Sequence, residues 1–273
     1  MNEPTRNDLE EPILEEDSVF QDDDDLSAEL VEQSEKRRRL VKKTVSVLLV
    51  LALFLNVISV WPHVIRWEAI DFLRTSYRLY QDAAVKERKQ AVVSVVGQEG
   101  RGTGFVIDSS GVVLTNYHVV EGEKGIYLHL PNGDSFVPTI RQSFPELDLA
   151  VLGVNVSNLV SLAADYDYEW SEGERVTFIG NPLGYLWIAN EGEVLGTTKV
   201  KGIKQPVMAI RAPVYRGNSG SPLFNQQGKV IGVLFATTSL DGETVGLAIP
   251  IRYVKGEWGQ ASSASKEMEK WQK

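Results

Sequence analysis

Between Thr44 and Ile65 the chain carries no charged residue, and the segment TVSVLLVLALFLNVISVW within it is dominated by Val, Leu, Ile and Phe. A bilayer core of ~30 Å takes about 20 such residues as a helix, so the run has the length of one membrane span. A helix that is apolar on every face is hard to place in a small soluble domain. A cleaved signal peptide is the competing reading, but its apolar region runs ~7–15 residues and ends at a small-residue cleavage site. Here Val60, Trp61, Pro62 and His63 follow. Residues 40–65 are therefore expected to form an uncleaved transmembrane signal-anchor helix. It would touch membrane lipid through residues 44–65 and place Trp61 at the interface.

The flanks orient this run. Lys36, Arg37, Arg38, Arg39, Lys42 and Lys43 precede it, whereas Arg66, Glu68, Asp71 and Arg74 open the far side. Cationic flanks stay cytoplasmic. This predicts a single-pass protein of the cell membrane with a cytoplasmic N-terminus and everything after Ile65 outside. Upstream, residues 1–35 hold fourteen Asp or Glu against the single Arg6. Such a segment lacks the apolar surface that offsets the entropy of ordering, so residues 1–39 are expected to be a disordered acidic tail ending in the basic cluster.

The formal charge of −9 is concentrated in that tail, and the body of the chain is close to neutral. A nucleic-acid partner is thereby excluded, since such a face needs clustered Lys and Arg. The lack of cysteine excludes disulfides, thiolate metal sites and a cysteine nucleophile.

Trp67 to Gln90 contain no Gly or Pro and space Ile70, Leu73, Tyr77 and Tyr80 at three and four, which predicts a helical stalk over residues 66–90. After Ala91 the texture changes to short β-rich runs separated by Gly, Asn, Asp and Pro, among them AVVSVVG, GTGFVID, GVVLTN, DLAVLGV and RVTFIG. Residues 91–256 thus read as an all-β sandwich or barrel, and the pattern does not choose between the two. Residues 257–273 lose the pattern and read as a C-terminal tail.

Three features in the order His, Asp, Ser lie in the β-rich region. His118, in TNYHVV, sits where a strand gives way to a loop. A lone histidine there is more often structural. Asp148 heads the apolar run LDLAVL, where a half-buried carboxylate needs a partner. Holding the imidazole N–H would supply one and would fix the tautomer of His118. Asp134, in the turn PNGD, is the rival and needs no catalytic explanation. Ser219 lies in RGNSGSPLF between Gly217 and Gly220. Glycines there allow a tight turn that exposes the hydroxyl and brings the Gly217 and Ser219 N–H groups together as an oxyanion hole. Each feature alone is weak evidence; the conjunction points to a Ser-His-Asp nucleophilic site.

GTGFVID and TNYHVV, then LDLAVL, RGNSGSPLFN and VGLAIPI together resemble the HtrA (Deg) group of trypsin-like serine proteases in order and spacing, from Ala91 to Val254. The resemblance implies a chymotrypsin-like pair of six-stranded β-barrels with His118 and Asp148 on the first and Ser219 on the second. It also implies a substrate-facing or regulatory loop at Gly180-Asn181-Pro182-Leu183-Gly184. The reaction it implies is peptide hydrolysis through an acyl-enzyme, with protein or peptide substrates and no cofactor or metal. Trimers recur in that group, which leaves a homo-oligomer open.

Two departures qualify the resemblance. Nineteen residues follow Val254, too few for the PDZ domain most of the group carries. Asn218 stands where digestive members have an Asp that receives a new N-terminal amine, an ion pair a neutral amide cannot make. The primary specificity pocket, by resemblance, would be built from Pro213, Val214, Phe235, Ala236 and Leu247. None is acidic, so small or medium apolar side chains are expected before the scissile bond. A protease-like sensor or binding module with conditional or no turnover is the competing function.

Overall fold

The computed structural model describes residues 17–64 and 67–255. Residues 1–16, Ile65, Arg66 and the expected C-terminal tail over 257–273 lie outside them, as does the side chain of Trp61. Contacts divide the chain into two units at the Arg66–Trp67 junction.

In the first unit, helix α1 runs from Asp17 to Val64. The disorder expected over residues 1–39 is corrected from Asp17 onward. No Gly or Pro lies between Asp17 and Trp61, and Lys36–Glu32 (2.8 Å) and Arg39–Glu35 (3.3 Å) pair one turn apart. Each such pair adds only ~0.2–0.5 kcal/mol, but helix propagation is cooperative and the uninterrupted apolar run carries it on. The consecutive side chains Val47 to Leu51 and Leu53 to Leu55 include Leu48, Leu49, Val50, Phe54 and Leu55, all exposed and spread over every face. Among the described residues no helix is long and apolar enough to cross a membrane; the expected span ends at Ile65, outside them.

The second unit begins with α2 (Trp67–Leu79) and α3 (Ala83–Lys89). The single stalk expected over 66–90 is corrected to two helices. Asp82 breaks it, its carboxylate accepting from the Ala84 N–H at 2.8 Å as the N-cap of α3. Nor is the segment a free spacer: Phe72, Ser76, Leu79 and Val85 are buried against the β-domain.

Seven strands follow in the first half, namely β1 (Val92–Val96), β2 (Arg101–Asp108), β3 (Val112–Thr115), β4 (Tyr127–His129), β5 (Ser135–Phe136), β6 (Thr139–Phe144) and β7 (Leu149–Gly153). They form one antiparallel sheet in the order β5-β4-β1-β2-β3-β7-β6. The second half holds β8 (Arg175–Gly180), β9 (Ile188–Thr198), β10 (Val207–Arg211), β11 (Pro222–Phe224), β12 (Val230–Leu240) and β13 (Glu243–Pro250). These close into a barrel in the order β10-β13-β12-β11-β8-β9. The six-stranded barrel implied for each half is therefore met in the second and corrected in the first, where the short β4–β5 hairpin adds a seventh strand at the edge.

Near-continuous buried runs on these strands build the core. Phe105, Leu114 and Leu152 in the first half and Phe178, Met208 and Ile210 in the second are fully buried. Each large apolar side chain so buried contributes ~1.5–3 kcal/mol. The halves meet where β2 runs beside the Ser219 turn: the Thr103 N–H donates to the Ser219 carbonyl at 2.8 Å. Gly220 has φ +86, and a Cβ there would lie 1.8 Å from the Thr103 carbonyl oxygen, so this approach requires glycine.

Candidate active site

His118 sits in the short 3-10 turn Tyr117–Val119 that follows β3, with Asn116 at the N-cap position and its side chain making no capping bond. Asp148 ends a second short turn, Pro145–Leu147, and enters β7 with φ +51, a left-handed conformation that Asp tolerates better than most residues. Two bonds hold it there. The Asp148 carbonyl accepts from the Tyr117 N–H (3.1 Å) and from Asn116 Nδ2 (2.8 Å).

The Asp148 carboxylate is then fully committed to His118. Oδ2 lies 2.7 Å from Nδ1, and Oδ1 accepts from the His118 backbone N–H at 2.9 Å. The carboxylate side chain is 17% exposed and the imidazole 44%, so the acid is shielded while the ring reaches the cleft. A proton on Nδ1 shared with Asp148 leaves Nε2 as an acceptor, the tautomer a general base requires. The Tyr117 phenol is pushed upward in pKa by desolvation and then by Glu121. Asp134 is engaged instead with Asn132 in an exposed turn, as its sequence context indicates.

Ser219 stands between β10 and β11, in a turn shaped by Gly217 (φ +100) and Gly220 (φ +86). Its hydroxyl donates to the Phe235 carbonyl at 3.3 Å. Among the described residues no hydrogen bond joins it to His118. Phe235 is available because β12 bulges against β13 between Leu234 and Ala236.

The Arg216 carbonyl accepts from the Leu183 N–H at 2.8 Å. In a trans peptide this turns the Gly217 N–H the opposite way. Among the described residues neither the Gly217 nor the Ser219 N–H has an acceptor. Unpaired N–H groups are rare where backbone is buried, and both of these are free to donate to an anion.

The turn is held by Thr103, which the sequence does not single out, together with Asn181 of the expected substrate-facing or regulatory loop. Thr103 Oγ1 donates to the Gly217 carbonyl at 2.7 Å. The same oxygen accepts from the Asn181 backbone N–H (3.0 Å) and from Asn181 Nδ2 (3.1 Å). Asn181 Oδ1 accepts from the Trp187 N–H at 2.9 Å. The available signal was Thr103 between Gly102 and Gly104 in a buried strand, a small polar group that demands partners. Asn218 is wholly buried, and its amide lies against Gly180, where a Cβ would come within 2.5 Å of Oδ1.

The specificity residues fall in three places. Pro213 and Val214 lie half-buried on the segment leading to Ser219 and line a cavity of about 790 Å³ with Phe72 and Thr75 of α2. Phe235 and Ala236 lie on β12. Leu247, on β13, is 1% exposed and belongs to the core. Val214 packs on Gly246, where a Cβ would lie 2.6 Å from Val214 Cγ2. A second cavity, about 450 Å³, lies between the loop at Gly97–Arg101 and the segment Asn181–Leu186, and reaches Arg216 and Gly217. Among the described residues no cluster of His, Asp and Glu is arranged to hold a metal.

Residues 102–233 match the model of a trypsin-like peptidase domain. The chain is 33% identical over 154 residues to a probable periplasmic serine endoprotease DegP-like from Halomonas elongata, covering 55% of this chain and 32% of that protein. It is 35% identical over 162 residues to the putative serine protease HhoB of Synechocystis, covering 57% and 38%. The chain thus spans about a third of the length of these relatives. Among solved structures, the inactive form of Rv3671c from M. tuberculosis H37Rv superposes with a TM-score of 0.59 at 26% identity, over 68% of this chain and 93% of that one. The serine endoprotease from Yersinia pestis gives 0.56 at 27% identity, over 72% and 66%. The second unit has a mostly β, chymotrypsin-like fold, and His118, Asp148 and Ser219 all lie in the segment that is similar to a trypsin-like peptidase domain.

Proposed function

We propose that this chain is a membrane-anchored serine endopeptidase that cleaves unfolded or partner proteins outside the cytoplasm. The observation that carries the chemistry is the double engagement of Asp148 with His118, which serves no packing need and leaves Nε2 free to accept a proton. His118 takes the Ser219 proton as Oγ attacks the scissile carbonyl, and the Gly217 and Ser219 N–H groups stabilise the oxyanion. His118 then protonates the leaving amine, and water repeats the cycle to free the acyl group. The engagement of the Arg216 carbonyl by Leu183 favours this reading over a sensor module without turnover, in which that carbonyl would fill the hole.

The side chain before the scissile bond is proposed to be small or medium and apolar. Val214 over Gly246 reduces the space beside Pro213, and the segments invoked for the pocket supply no acid to meet a Lys or Arg. The test is cleavage of a peptide library by the purified full-length chain beside Ser219→Ala. Apolar preference lost in the variant is expected; a profile led by Arg and Lys contradicts the pocket, and equal cleavage by the variant contradicts the mechanism.

The anchor is proposed from the charge-free run Thr44–Ile65 behind the basic cluster, and is supported by the apolar side chains exposed between Leu40 and Leu55 of α1. The relatives named as periplasmic suggest the extracytoplasmic side for the protease domain. Alkaline extraction of membranes, with a tag at each end, is expected to leave both tags in the pellet. A soluble C-terminal tag would replace the anchor with cleavage near Trp61. Self-association, carried by the resemblance, is tested by mass photometry of the detergent-solubilised chain, where a monomer alone would discard it.

A further inference from the structure

The elements around Ser219 include one that the triad does not account for. Helix α2 lies against β9 and the approach to the nucleophile. The Phe72 ring, 5% exposed, meets Tyr215 edge-on with centroids 5.2 Å apart. Tyr215 is itself tied to the turn, because its carbonyl accepts from the Asn218 N–H at 3.0 Å. Arg78 of α2 pairs with Glu191 of β9 at 2.6 Å.

A second contact begins one residue past α2. The Tyr80 hydroxyl donates to the Trp187 carbonyl. Trp187 has φ +55, a strained backbone for an aromatic residue. It is clamped on three sides: by Tyr80 at its carbonyl, by Asn181 Oδ1 at its N–H, and by the Val92 carbonyl, which accepts from its indole Nε1 at 2.9 Å. From Asn181 the bonds continue to Thr103 Oγ1 and on to the Gly217 carbonyl. Leu183, also at φ +54, lies between Asn181 and Trp187 and supplies the N–H that holds the Arg216 carbonyl. The strained segment that fixes the orientation of the Gly217 N–H is thus pinned at its far end by a side chain from outside the β-domain.

We propose that Tyr80 and Phe72 are positioning residues for the oxyanion-stabilising turn, so that the helical segment between the apolar run and the β-domain sets catalytic competence. The inference rests on the serine endopeptidase reading above. Neither residue touches the reacting atoms. Tyr80 acts through Trp187 and Asn181 on the segment that orients Arg216, and Phe72 acts through Tyr215 on the turn itself. Strain of this kind persists only while the surroundings over-determine it, and removal of one clamp lets Trp187 and Leu183 relax toward ordinary backbone. The peptide joining Arg216 to Gly217 then loses its Leu183 partner, and the hole is populated for a smaller fraction of the time.

The test compares full-length parent, Tyr80→Phe, Phe72→Ala and Ser219→Ala. Tyr80→Phe keeps the ring on which Lys89 stacks, 4.6 Å from its centroid, and removes only the hydroxyl. Expected are a fall in kcat of about 3- to 10-fold for Tyr80→Phe, matching a lost hydrogen bond, and a larger fall for Phe72→Ala. KM should stay within about twofold for both, because the oxyanion forms only after substrate has bound. The rate of labelling by a fluorophosphonate should fall in parallel, while the thermal midpoint of Tyr80→Phe stays close to the parent. If the parent labels and Ser219→Ala does not, but Tyr80→Phe and Phe72→Ala match the parent in kcat and labelling, this inference fails and the protease reading stands. A rise in KM with unchanged kcat also overturns it. A parent that neither labels nor cleaves removes the protease reading and this inference with it.

Discussion

The two halves of the proposed catalytic set are supported in different ways. His118 and Asp148 are held by their own neighbourhood: Asn116, Tyr117 and the turn before β7 supply every bond that fixes them. The Ser219 turn is held from a distance, by Thr103 of β2, by Asn181 and Leu183 after β8, and by the packing of α2 on Tyr215. A base fixed by short-range contacts is ready whenever the first sheet is folded. A nucleophile turn fixed by separate segments is ready only when all of them are in place. On the proposed serine endopeptidase reading, control would belong on the Ser219 side.

Substitutions on each side break or sharpen that contrast. Asp148→Asn is expected to lower kcat by about 10⁴-fold, since the amide imposes the wrong imidazole tautomer while leaving the fold in place. Steady-state cleavage of a peptide substrate reads this directly, and a loss under tenfold would mean that Asp148 only packs. Thr103→Val comes next. It removes the bond to the Gly217 carbonyl and leaves the Asn181 backbone N–H without its acceptor, while Nδ2 keeps the Val93 carbonyl, at a cost of ~1–3 kcal/mol, or about 10- to 100-fold in kcat if the cost falls on the active arrangement. Unchanged kcat with a lowered thermal midpoint would show that Thr103 joins the halves without preparing the site. The smallest effect belongs to Asn116→Ala. The Tyr117 N–H still holds the Asp148 carbonyl, so only a few-fold loss of kcat is expected, and a loss as large as that of Thr103→Val would erase the contrast between the sides.

The same contrast explains what could be read from the sequence. His118, Asp148, Ser219 and the flanking glycines were legible because each carries a local signature: a strand-to-loop histidine, an acid at the head of an apolar strand, a serine between glycines. The all-β texture after Ala91 was legible from short β-rich runs separated by turn residues. Thr103, Asn181 and Trp187 were not, because their roles depend on which distant segments meet, and nothing local in GTGF or GNPLG states that they share hydrogen bonds. The break of the stalk at Asp82 did have a local sign, an Asp followed by Ala83 and Ala84, which the apolar spacing of the helix masked. The acidic arm misled in the other direction. Its composition argues for disorder, but from Asp17 the absence of Gly and Pro and the one-turn ion pairs favour helix continuous with the apolar run.

The central claim is that Ser219, activated by the Asp148-held His118 and facing two unpaired N–H groups, is a working nucleophile. The most direct measurement is fluorophosphonate labelling of the full-length chain in detergent, followed by mass spectrometry of the adduct. A single adduct on Ser219, absent in Ser219→Ala and slowed by about 10³- to 10⁴-fold in Asp148→Asn, is the predicted result. Labelling at another serine, or an Asp148→Asn chain that labels as fast as the parent, would contradict it.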